Sequence, residues 1–511
     1  MTQGDSRRDD RRGENQRGGN QRGENRRGDN RGDDRRGANG RRDDRPGRGN
    51  PRDRRDREGY PPDRAPERFI DLARMAAFDT LRDVHASGAY ANLALAEQAR
   101  EHDLNQQEAA LCTELVNGTC RWEGTYDRII EAAGKRALHT LQPAIVDVLR
   151  LGTHQLMGMR TPTHAAVSTS VDLAGIALGE RTTGVVNAII RKVAAKTSEE
   201  WLDELTDGMG EQGQLVLRTG HPRWIVDAWA NVLPAQELGE ALAADNVPPV
   251  PTLVVRPGLC EHDELLADGG QPTRFSPFGA VREGNPSDLP AVRQRRAAVQ
   301  DEGSQLVALA LSRVDAEPGR WLDLCAGPGG KAALLTGLAQ ADGSTLLANE
   351  AHEHRAELVR KALMAYPVNT WQVVTGDGTR PQWEPGSFTR VMADVPCSGL
   401  GSLRRRPESR WRRTQAEVAE LFQLQCALLD SAIESAAPGG VIAYVTCSPH
   451  RAETCTIVQK VADERVEVLD AAGFLPEVPD CRAVTDERFV QLWPHRHGTD
   501  AMFLALLRRI G

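Results

Sequence analysis

The chain lacks the sequence features of a membrane, secreted or metal-binding protein. It has no apolar run near the roughly 20 residues that cross a bilayer. Its polar, arginine-rich start has no apolar signal segment. Its nine cysteines form no Cys-x-x-Cys pair, which argues against a zinc site or a disulfide framework. We therefore expect a cytoplasmic protein that binds no metal and no membrane, in which reduced thiols can serve chemistry.

An excess of positive charge is also missing. The net charge is −8, and residues 1–60 carry 19 arginines against 13 acidic residues, which leaves −14 for the rest. An acidic body is not the usual footprint of a nucleic-acid-binding protein. Any RNA contact is therefore expected to come from local basic patches.

Composition and periodicity divide the chain into four parts. Residues 1–65 repeat Arg, Gly, Asp and Asn with almost no apolar side chain, which predicts a disordered tail that either tethers RNA weakly or keeps the protein soluble. Residues 66–207 place apolar side chains at helical spacing and predict an α-helical domain. Residues 208–290 mix helix and strand patterns, which predicts a small α+β linker domain. In residues 291–511 strands and helices alternate, which predicts a mostly parallel, doubly wound, Rossmann-like α/β sheet.

Candidate functional residues end the predicted strands of this last domain. In doubly wound sheets, ligands bind beyond the carboxyl ends of the strands. The strands predicted over 320–326, 344–350, 370–377, 389–396 and 440–448 end near Cys325, Glu350, Asp377, Asp394 and Cys447. Their meeting at one sheet edge indicates a single pocket.

A glycine-rich turn follows the first of these strands. It comprises Cys325, Ala326, Gly327, Pro328, Gly329, Gly330 and Lys331. The turn lacks both the G-x-G-x-x-G spacing of dinucleotide sites and the Ser or Thr that follows Gly-Lys in a Walker loop. Glu350 can accept hydrogen bonds from ribose hydroxyls, and Asp377 can face an adenine amino group. This set predicts an adenosine pocket without pyrophosphate features, and so favours S-adenosylmethionine as the cofactor.

Two thiols and a carboxylate flank this pocket, namely Cys397, Cys447 and Asp394. Carbon 5 of cytosine is too poor a nucleophile to take a methyl group directly. A thiolate that adds to carbon 6 converts the ring into an enamine, which can take the methyl group. An acid such as Asp394 would polarise the N3/N4 edge of the base. The pattern therefore predicts a cytosine-5 methyltransferase with a cysteine nucleophile.

An arginine-rich stretch, residues 401–413, follows the Asp394–Gly399 turn. We expect Arg404, Arg405 and Arg406 to contact RNA phosphates and Trp411 to stack or pack. The alternative is a solvated charged loop. The histidine pairs at 352/354 and 495/497 have no supporting Cys or acid spacing, and we interpret them as not metal ligands.

These blocks together resemble the Sun/Fmu (RsmB-type) family of bacterial 16S rRNA cytosine-5 methyltransferases. The resemblance rests on CAGPGGK (325–331), DVPCSGLGSLRRRPESRW (394–411) and TCS (446–448), and on GVVNAIIRKV (184–193), which is similar to the NusB-like helical domain of that family. It covers residues 66–511. It implies that Cys447 attacks carbon 6, that Cys397 assists product release, and that Asp394 contacts the base.

The same resemblance assigns the remaining roles. The 325–331 turn, Glu350, Asp377 and Asp394 would hold S-adenosylmethionine, and Lys331 is counted among the catalytic residues. The NusB-like domain and residues 208–290 would help to hold rRNA. We expect a monomer that acts on 16S rRNA or a small-subunit precursor.

The sequence departs from the family pattern at a few positions. Gly327 stands where Ala is usual, and Glu350 stands where Asp is frequent. Residues 256–258 read RPG instead of Arg-x-Asn, and residues 498–503 read GTDAMF instead of GTDGFF. Three alternatives stay open: methylation of another RNA such as tRNA, Cys397 as the nucleophile, as in DNA cytosine-5 enzymes, and a non-catalytic RNA-binding assembly factor.

Overall fold

The helices of the helical domain share one apolar core. The computed structural model describes residues 68–511, so the disordered tail predicted for residues 1–65 lies outside the described residues. Asn105 and Glu108 form a capping box that starts the longest helix. The helices are α1 (Leu72–Arg82), α2 (Ala91–Glu101), α3 (Gln106–Gly134), α4 (Pro143–Met157), α5 (Thr163–Leu178), α6 (Glu180–Val193) and α7 (Ser198–Thr206). Fully buried side chains such as Leu115, Ile129 and Leu149 form their common core.

The linker domain combines five helices with a small antiparallel sheet. Its elements are α8 (Glu211–Thr219), α9 (Arg223–Ala230), α10 (Leu238–Ala244), β1 (Thr252–Val255), α11 (His262–Ala267), β2 (Gln271–Pro272), β3 (Gly279–Val281), α12 (Pro290–Arg293) and β4 (Ala297–Val299). The strand order is β2-β3-β1-β4. Because β4 pairs with β1, this sheet takes a strand from beyond residue 290, where the sequence predicts the catalytic domain to begin.

The third domain has the predicted doubly wound sheet. Its elements are α13 (Glu302–Arg313), β5 (Arg320–Asp323), α14 (Gly330–Ala341), β6 (Thr345–Glu350), α15 (Glu353–Leu363), β7 (Trp371–Thr375), β8 (Phe388–Asp394), α16 (Ser409–Arg412), α17 (Gln415–Ser435), β9 (Ala436–Thr446), α18 (Cys455–Val461), β10 (Val466–Val468), β11 (Arg482–Ala483), β12 (Asp486–Gln491), α19 (Pro494–His497) and β13 (Phe503–Arg509). The order is β11-β12-β13-β9-β8-β5-β6-β7, with β10 beside β13. Helices cover both faces, and the multidomain α and α/β fold class is confirmed.

The sheet is parallel from β7 to β9 and antiparallel beyond β9. The central strands read as apolar runs because both faces are covered; Val441 to Val445 are fully buried. The chain winds from β5 outward to β6 and β7, and then returns to the other side of β5 with β8 and β9. The switch point therefore lies between β5 and β8, where such sheets bind ligands.

One buried arginine joins the three domains. The guanidinium of Arg410 is fully buried. Its Nη1 donates to the carbonyl oxygens of Arg121 (3.1 Å) and Gly220 (3.1 Å) and to the Asn246 side chain (2.7 Å). Its Nη2 donates to the carbonyl oxygen of Asp245 at 3.0 Å and to the Asp245 carboxylate at 3.2 Å. Arg121 belongs to the helical domain, and the other three acceptors belong to the linker domain.

The neighbouring Trp411 fastens the same stretch to helix α3. Its indole nitrogen donates to the carbonyl oxygen of Cys120 at 2.6 Å. Its ring lies where a Cβ at Gly124 would stand, only 2.4 Å away, so this approach requires glycine. Of the two roles predicted for Trp411, the structure therefore supports packing. None of the helices among residues 68–511 has the length and apolar character of a membrane span.

We expect Arg410→Met to destabilise the protein strongly. The substitution removes one partner of a buried ion pair and leaves Asp245 and several carbonyl groups without their donor, which typically costs about 3–5 kcal/mol. Urea titration followed by tryptophan fluorescence measures the loss. The control is Arg223→Met, because Arg223 forms an exposed pair with Asp227 in helix α9, and such pairs contribute about 0.5 kcal/mol or less. Equal losses in the two variants would contradict a joining role for Arg410.

Candidate active site

A cavity of about 450 Å³ opens at the switch point between β5 and β8. The predicted residues that line it are Cys325, Gly327, Pro328, Glu350, Asp377, Asp394, Cys397 and Cys447. Ala326 is buried behind the turn, and Gly329 precedes helix α14 with a φ of 108°, a conformation that favours glycine. Gly330 and Lys331 form the first turn of that helix. The structure thus brings the predicted strand-end residues to one cavity.

The two cysteines meet because their strands are neighbours in register. Asp394 at the end of β8 pairs with Val445 in β9, so the loops that carry Cys397 and Cys447 leave the sheet side by side. Their sulfur atoms lie 3.4 Å apart. Among the described residues both thiols are free rather than disulfide-bonded.

The two thiols differ in acidity. The hydrogen bond from Cys397 lowers the pKa of Cys447. Burial and the charge of Asp394 raise this pKa, and the positive charge of Lys331 offsets part of that increase. The same hydrogen bond, together with burial, holds the pKa of Cys397 well above the usual range of a thiol. These opposite shifts make Cys447 the more acidic thiol of the pair and Cys397 the one that holds its proton more tightly.

Lys331 and Asp394 form an ion pair beside the sulfur atoms. Lys331 Nζ lies 2.9 Å from Asp394 Oδ2. Burial by itself disfavours the ammonium, but the Asp394 carboxylate more than compensates and raises the pKa of Lys331. Behind the pair, burial and the charge of Asp394 raise the pKa of Asp323 to about 8, so Asp323 is protonated at neutral pH. Asp323 gave no sequence signal for a role in the site, because it lies within the predicted strand 320–326.

Glu350 is fixed at the mouth of the glycine-rich turn. Its carboxylate accepts hydrogen bonds from the backbone N–H groups of Gly327 (3.1 Å) and His352 (3.1 Å). A Cβ at Gly327 would stand 2.2 Å from Glu350 Oε2, so an alanine there would displace the carboxylate. The two departures from the family pattern are therefore coupled, because the longer acid occupies the space that a methyl group would fill. Arg355, which the sequence analysis also missed, closes the turn by donating to the Gly327 carbonyl oxygen at 2.8 Å.

Asp377 lies on the same side of the cavity, after β7. Its Oδ1 accepts hydrogen bonds from the backbone N–H (2.9 Å) and the hydroxyl (2.8 Å) of Thr379, which lower the pKa of Asp377. It is exposed and ionised at neutral pH. A charged acceptor in this position fits the predicted contact with an adenine amino group.

A buried glutamate holds the Cys397 loop in place. The carboxylate of Glu453 accepts hydrogen bonds from the backbone N–H of Ser398 at 2.7 Å and from its hydroxyl at 2.5 Å. Gln425 donates to the carbonyl oxygen of Pro396 at 2.9 Å and to Glu453 at 3.2 Å. Glu453 follows the Cys447 loop, so it ties the two cysteine loops together. Its isolated position in a loop gave no sequence signal for this role.

The predicted phosphate contacts divide into two groups. Arg404 is buried, and it donates to Asp301 at 2.6 Å and to Asp500 at 3.0 Å. Arg405 is partly exposed and also binds the Asp500 carboxylate. Because two carboxylates already bind the guanidinium of Arg404, it is poorly placed to bind a phosphate. We therefore replace the predicted RNA contact of Arg404 with a structural role. Arg406 is exposed and lines the cavity, which fits the prediction.

The histidine pairs are placed away from any donor set for a metal. His495 lies 2.9 Å from Glu237, and His497 lies 3.0 Å from the carbonyl oxygen of Pro479. The rings of His352 and His354 stack at 5.8 Å. Within residues 68–511 no group of three or more His, Cys, Asp or Glu side chains is arranged to hold a metal ion.

Comparison with known proteins agrees with this architecture. A family model described as 16S rRNA methyltransferase RsmB/F matches residues 308–508, and the NusB family model matches residues 71–195. A Mycobacterium tuberculosis protein named as a methyltransferase is 46% identical over 452 residues, which cover 87% of this chain and 98% of that protein. Ribosomal RNA small subunit methyltransferase B of Pseudomonas syringae pv. tomato is 31% identical over 453 residues, with coverages of 86% and 97%. The crystal structure of PH0851 shares the fold, with a TM-score of 0.71 at 19% identity, and covers 87% of this chain and 100% of that one.

We expect Gly327→Ala to weaken the binding of S-adenosylmethionine, because the new methyl group displaces the Glu350 carboxylate. Losing a hydrogen bond to a charged acceptor costs about 1.5–3 kcal/mol, which corresponds to about 10-fold to 100-fold weaker binding. The shorter acid in the double variant Gly327→Ala/Glu350→Asp should restore most of the affinity. Isothermal titration calorimetry of both single variants and the double variant measures the coupling. Additive losses would contradict it.

Proposed function

Because the chain belongs to the RsmB/F family of 16S rRNA methyltransferases, we propose that it methylates carbon 5 of a cytosine in 16S rRNA. Cys447 is the proposed nucleophile, and S-adenosylmethionine is the proposed methyl donor. The observation that carries the proposal is the cysteine pair, 3.4 Å apart, in which one thiol has a lowered pKa and the other a raised pKa. Membership of this family favours an enzyme over a non-catalytic assembly factor.

The adenosine side of the cavity fits the cofactor. Glu350 has both carboxylate oxygens held by backbone donors, and its remaining lone pairs can accept the two ribose hydroxyls. Gly327 leaves no space for a Cβ beside this carboxylate, so the turn is shaped around it. Asp377 supplies an acceptor for the adenine amino group. When bound, S-adenosylmethionine supplies a methyl group on a positively charged sulfur.

The protein's part in the reaction begins with the Cys447 thiolate. Its sulfur forms a bond to carbon 6 of the cytosine, and the ring electrons move to make carbon 5 nucleophilic. Asp394 accepts a hydrogen bond from the N4 amino group and keeps the base in place, while Lys331 balances the charge of Asp394. Once carbon 5 carries the methyl group, it loses its proton to water, and the electron pair of the C–H bond reforms the double bond between carbons 5 and 6. The bond between carbon 6 and sulfur then breaks, and the Cys447 thiolate leaves.

Cys397 has the complementary role. Its raised pKa keeps it protonated, so it stabilises the Cys447 thiolate by donating a hydrogen bond. The same hydrogen bond makes Cys447 a better leaving group at the end of the reaction, because a stabilised thiolate departs more readily. This division of roles favours Cys447 over Cys397 as the nucleophile. Mapping 5-methylcytosine in 16S rRNA from a strain that lacks the protein tests the choice of target.

We expect Cys447→Ala to abolish methyl transfer and to leave the affinity for S-adenosylmethionine unchanged, because only the addition to carbon 6 needs this thiol. Transfer of a radioactive methyl group to a 16S rRNA transcript measures the first quantity, and calorimetry measures the second. Cys426→Ala is the matched control, since Cys426 is a partly buried cysteine of helix α17 outside the cavity. Normal turnover by Cys447→Ala would overturn the assignment.

We expect Cys397→Ala to accumulate a covalent complex with RNA. Addition and methylation slow but continue, because Lys331 still favours the Cys447 thiolate. Release is expected to slow more, because the hydrogen bond that stabilises the leaving sulfur is lost. A denaturing gel should then show a band of protein linked to the transcript, which is absent for the Cys447→Ala/Cys397→Ala double variant. If Cys397→Ala forms neither the band nor 5-methylcytosine, Cys397 is the attacking residue instead.

A further inference from the structure

The helical domain contributes one side chain to the wall of the catalytic cavity. Tyr90 immediately precedes helix α2 and lines the cavity together with Asp394, Cys397 and Cys447. About 44% of its surface is exposed, although a ring of this size is usually more deeply buried. The proposed mechanism gives Tyr90 no role.

The position of Tyr90 is fixed by the loop that follows Cys397. The Arg412 guanidinium donates to the carbonyl oxygen of Ala89 at 2.9 Å and also to that of Gly88. On the other side of Tyr90, the backbone N–H of Ala91 donates a hydrogen bond to Glu408 Oε1 at 3.4 Å. The backbone on both sides of Tyr90 is therefore hydrogen-bonded to the catalytic domain, and these bonds hold the ring at the cavity.

Two guanidinium groups lie near the ring. Arg412 lies 5.0 Å and Arg406 5.9 Å from the ring centroid. Arg412 is engaged with the helical domain, whereas Arg406 is exposed and faces the cavity. An exposed aromatic ring beside a cation is the arrangement with which proteins hold single-stranded RNA, because bases stack on the ring and phosphates meet the cation.

We propose that Tyr90 stacks on a base of the RNA strand at the mouth of the catalytic cavity, and that Arg406 contacts a phosphate of the same strand. The proposal rests on the proposed function, since it takes the ligand to be RNA. It assigns to the helical domain a direct contact with the strand that carries the target cytosine. Helix α2 would then serve as part of the active-site entrance.

The first test is RNA affinity. A 16S rRNA transcript binds the full-length protein in the presence of S-adenosylhomocysteine, which permits no methyl transfer, and fluorescence anisotropy gives the dissociation constant. Tyr90→Ala and Tyr90→Leu should both raise it about 5-fold to 100-fold, the usual effect of removing one stacked base contact. Tyr90→Phe keeps the ring and should bind as the wild type does. The matched control is Leu93→Ala, because Leu93 is an exposed residue of helix α2 that does not line the cavity.

The salt dependence separates stacking from charge. Stacking releases no counterions, so Tyr90→Ala should shift the plot of log affinity against log salt without changing its slope. Arg406→Gln removes one phosphate contact and should flatten the slope by about 0.7 for a single strand. A flatter slope for Tyr90→Ala, or unchanged affinity in both Tyr90→Ala and Tyr90→Leu, would overturn the proposal.

Two further measurements assign a failure to its cause. The affinity for S-adenosylmethionine should be the same in Tyr90→Ala and the wild type, and a selective loss there would mean that the ring stacks on the cofactor and not on RNA. If the wild-type protein binds the transcript but forms no 5-methylcytosine, the proposed function fails, whereas the binding curves still decide the role of Tyr90. Tyr90→Leu keeps the apolar bulk, so it distinguishes loss of stacking from loss of folding.

Discussion

The buried guanidinium of Arg410 is the constraint that orders the rest of the molecule. Taking a positive charge out of water is expensive unless nearby acceptors replace the lost water. Here the acceptors are carbonyl oxygens and side chains from the helical and linker domains, and they meet only when both domains are docked on the catalytic domain. Burial lowers the pKa of Arg410 to about 10, so the group stays charged at neutral pH and continues to require those partners.

This constraint reaches the active site through the loop that leads to helix α16, which carries Arg410. The loop starts at Cys397, and Leu400 and Leu403 pack in its middle against the linker helices and Trp493. Arg404 and Arg405 then bind Asp500 beside β13, and Asp301 joins them at the start of helix α13. Charges that look from the sequence like a nucleic-acid surface are therefore largely used inside the protein. The acidic body and the arginine-rich stretch partly neutralise each other.

The chemistry of the site follows from the rigidity of its two cysteine loops. One sulfur can keep the proton and the other the charge only if their separation is fixed, because a hydrogen bond between sulfur atoms weakens quickly with distance. The neighbouring strands β8 and β9 set the separation, and Glu453 ties the loops together on the far side. Lys331 and Asp394 then set the electrostatic balance from the glycine-rich turn. The family fold thus provides the cavity, and the buried polar contacts give each thiol a different environment.

The sequence by itself determined the domain classes, the parallel sheet and the set of strand ends that form the cavity. Those features are local, because alternating strands and helices, glycine-rich turns and caps such as Asn105 are written in consecutive residues. Strands β2 to β4 of the linker sheet and the antiparallel strands β10 to β13 were not predicted, since short strands without a distinctive pattern are specified by their neighbours. Only the tertiary structure decided that Arg404 is an internal ion-pair partner, that Gly327 and Glu350 share one space, and that Tyr90 reaches the cavity from another domain. Each of these depends on atoms that are distant along the chain and close in space, and burial, which sets the energies of charges and hydrogen bonds, is a property of that arrangement.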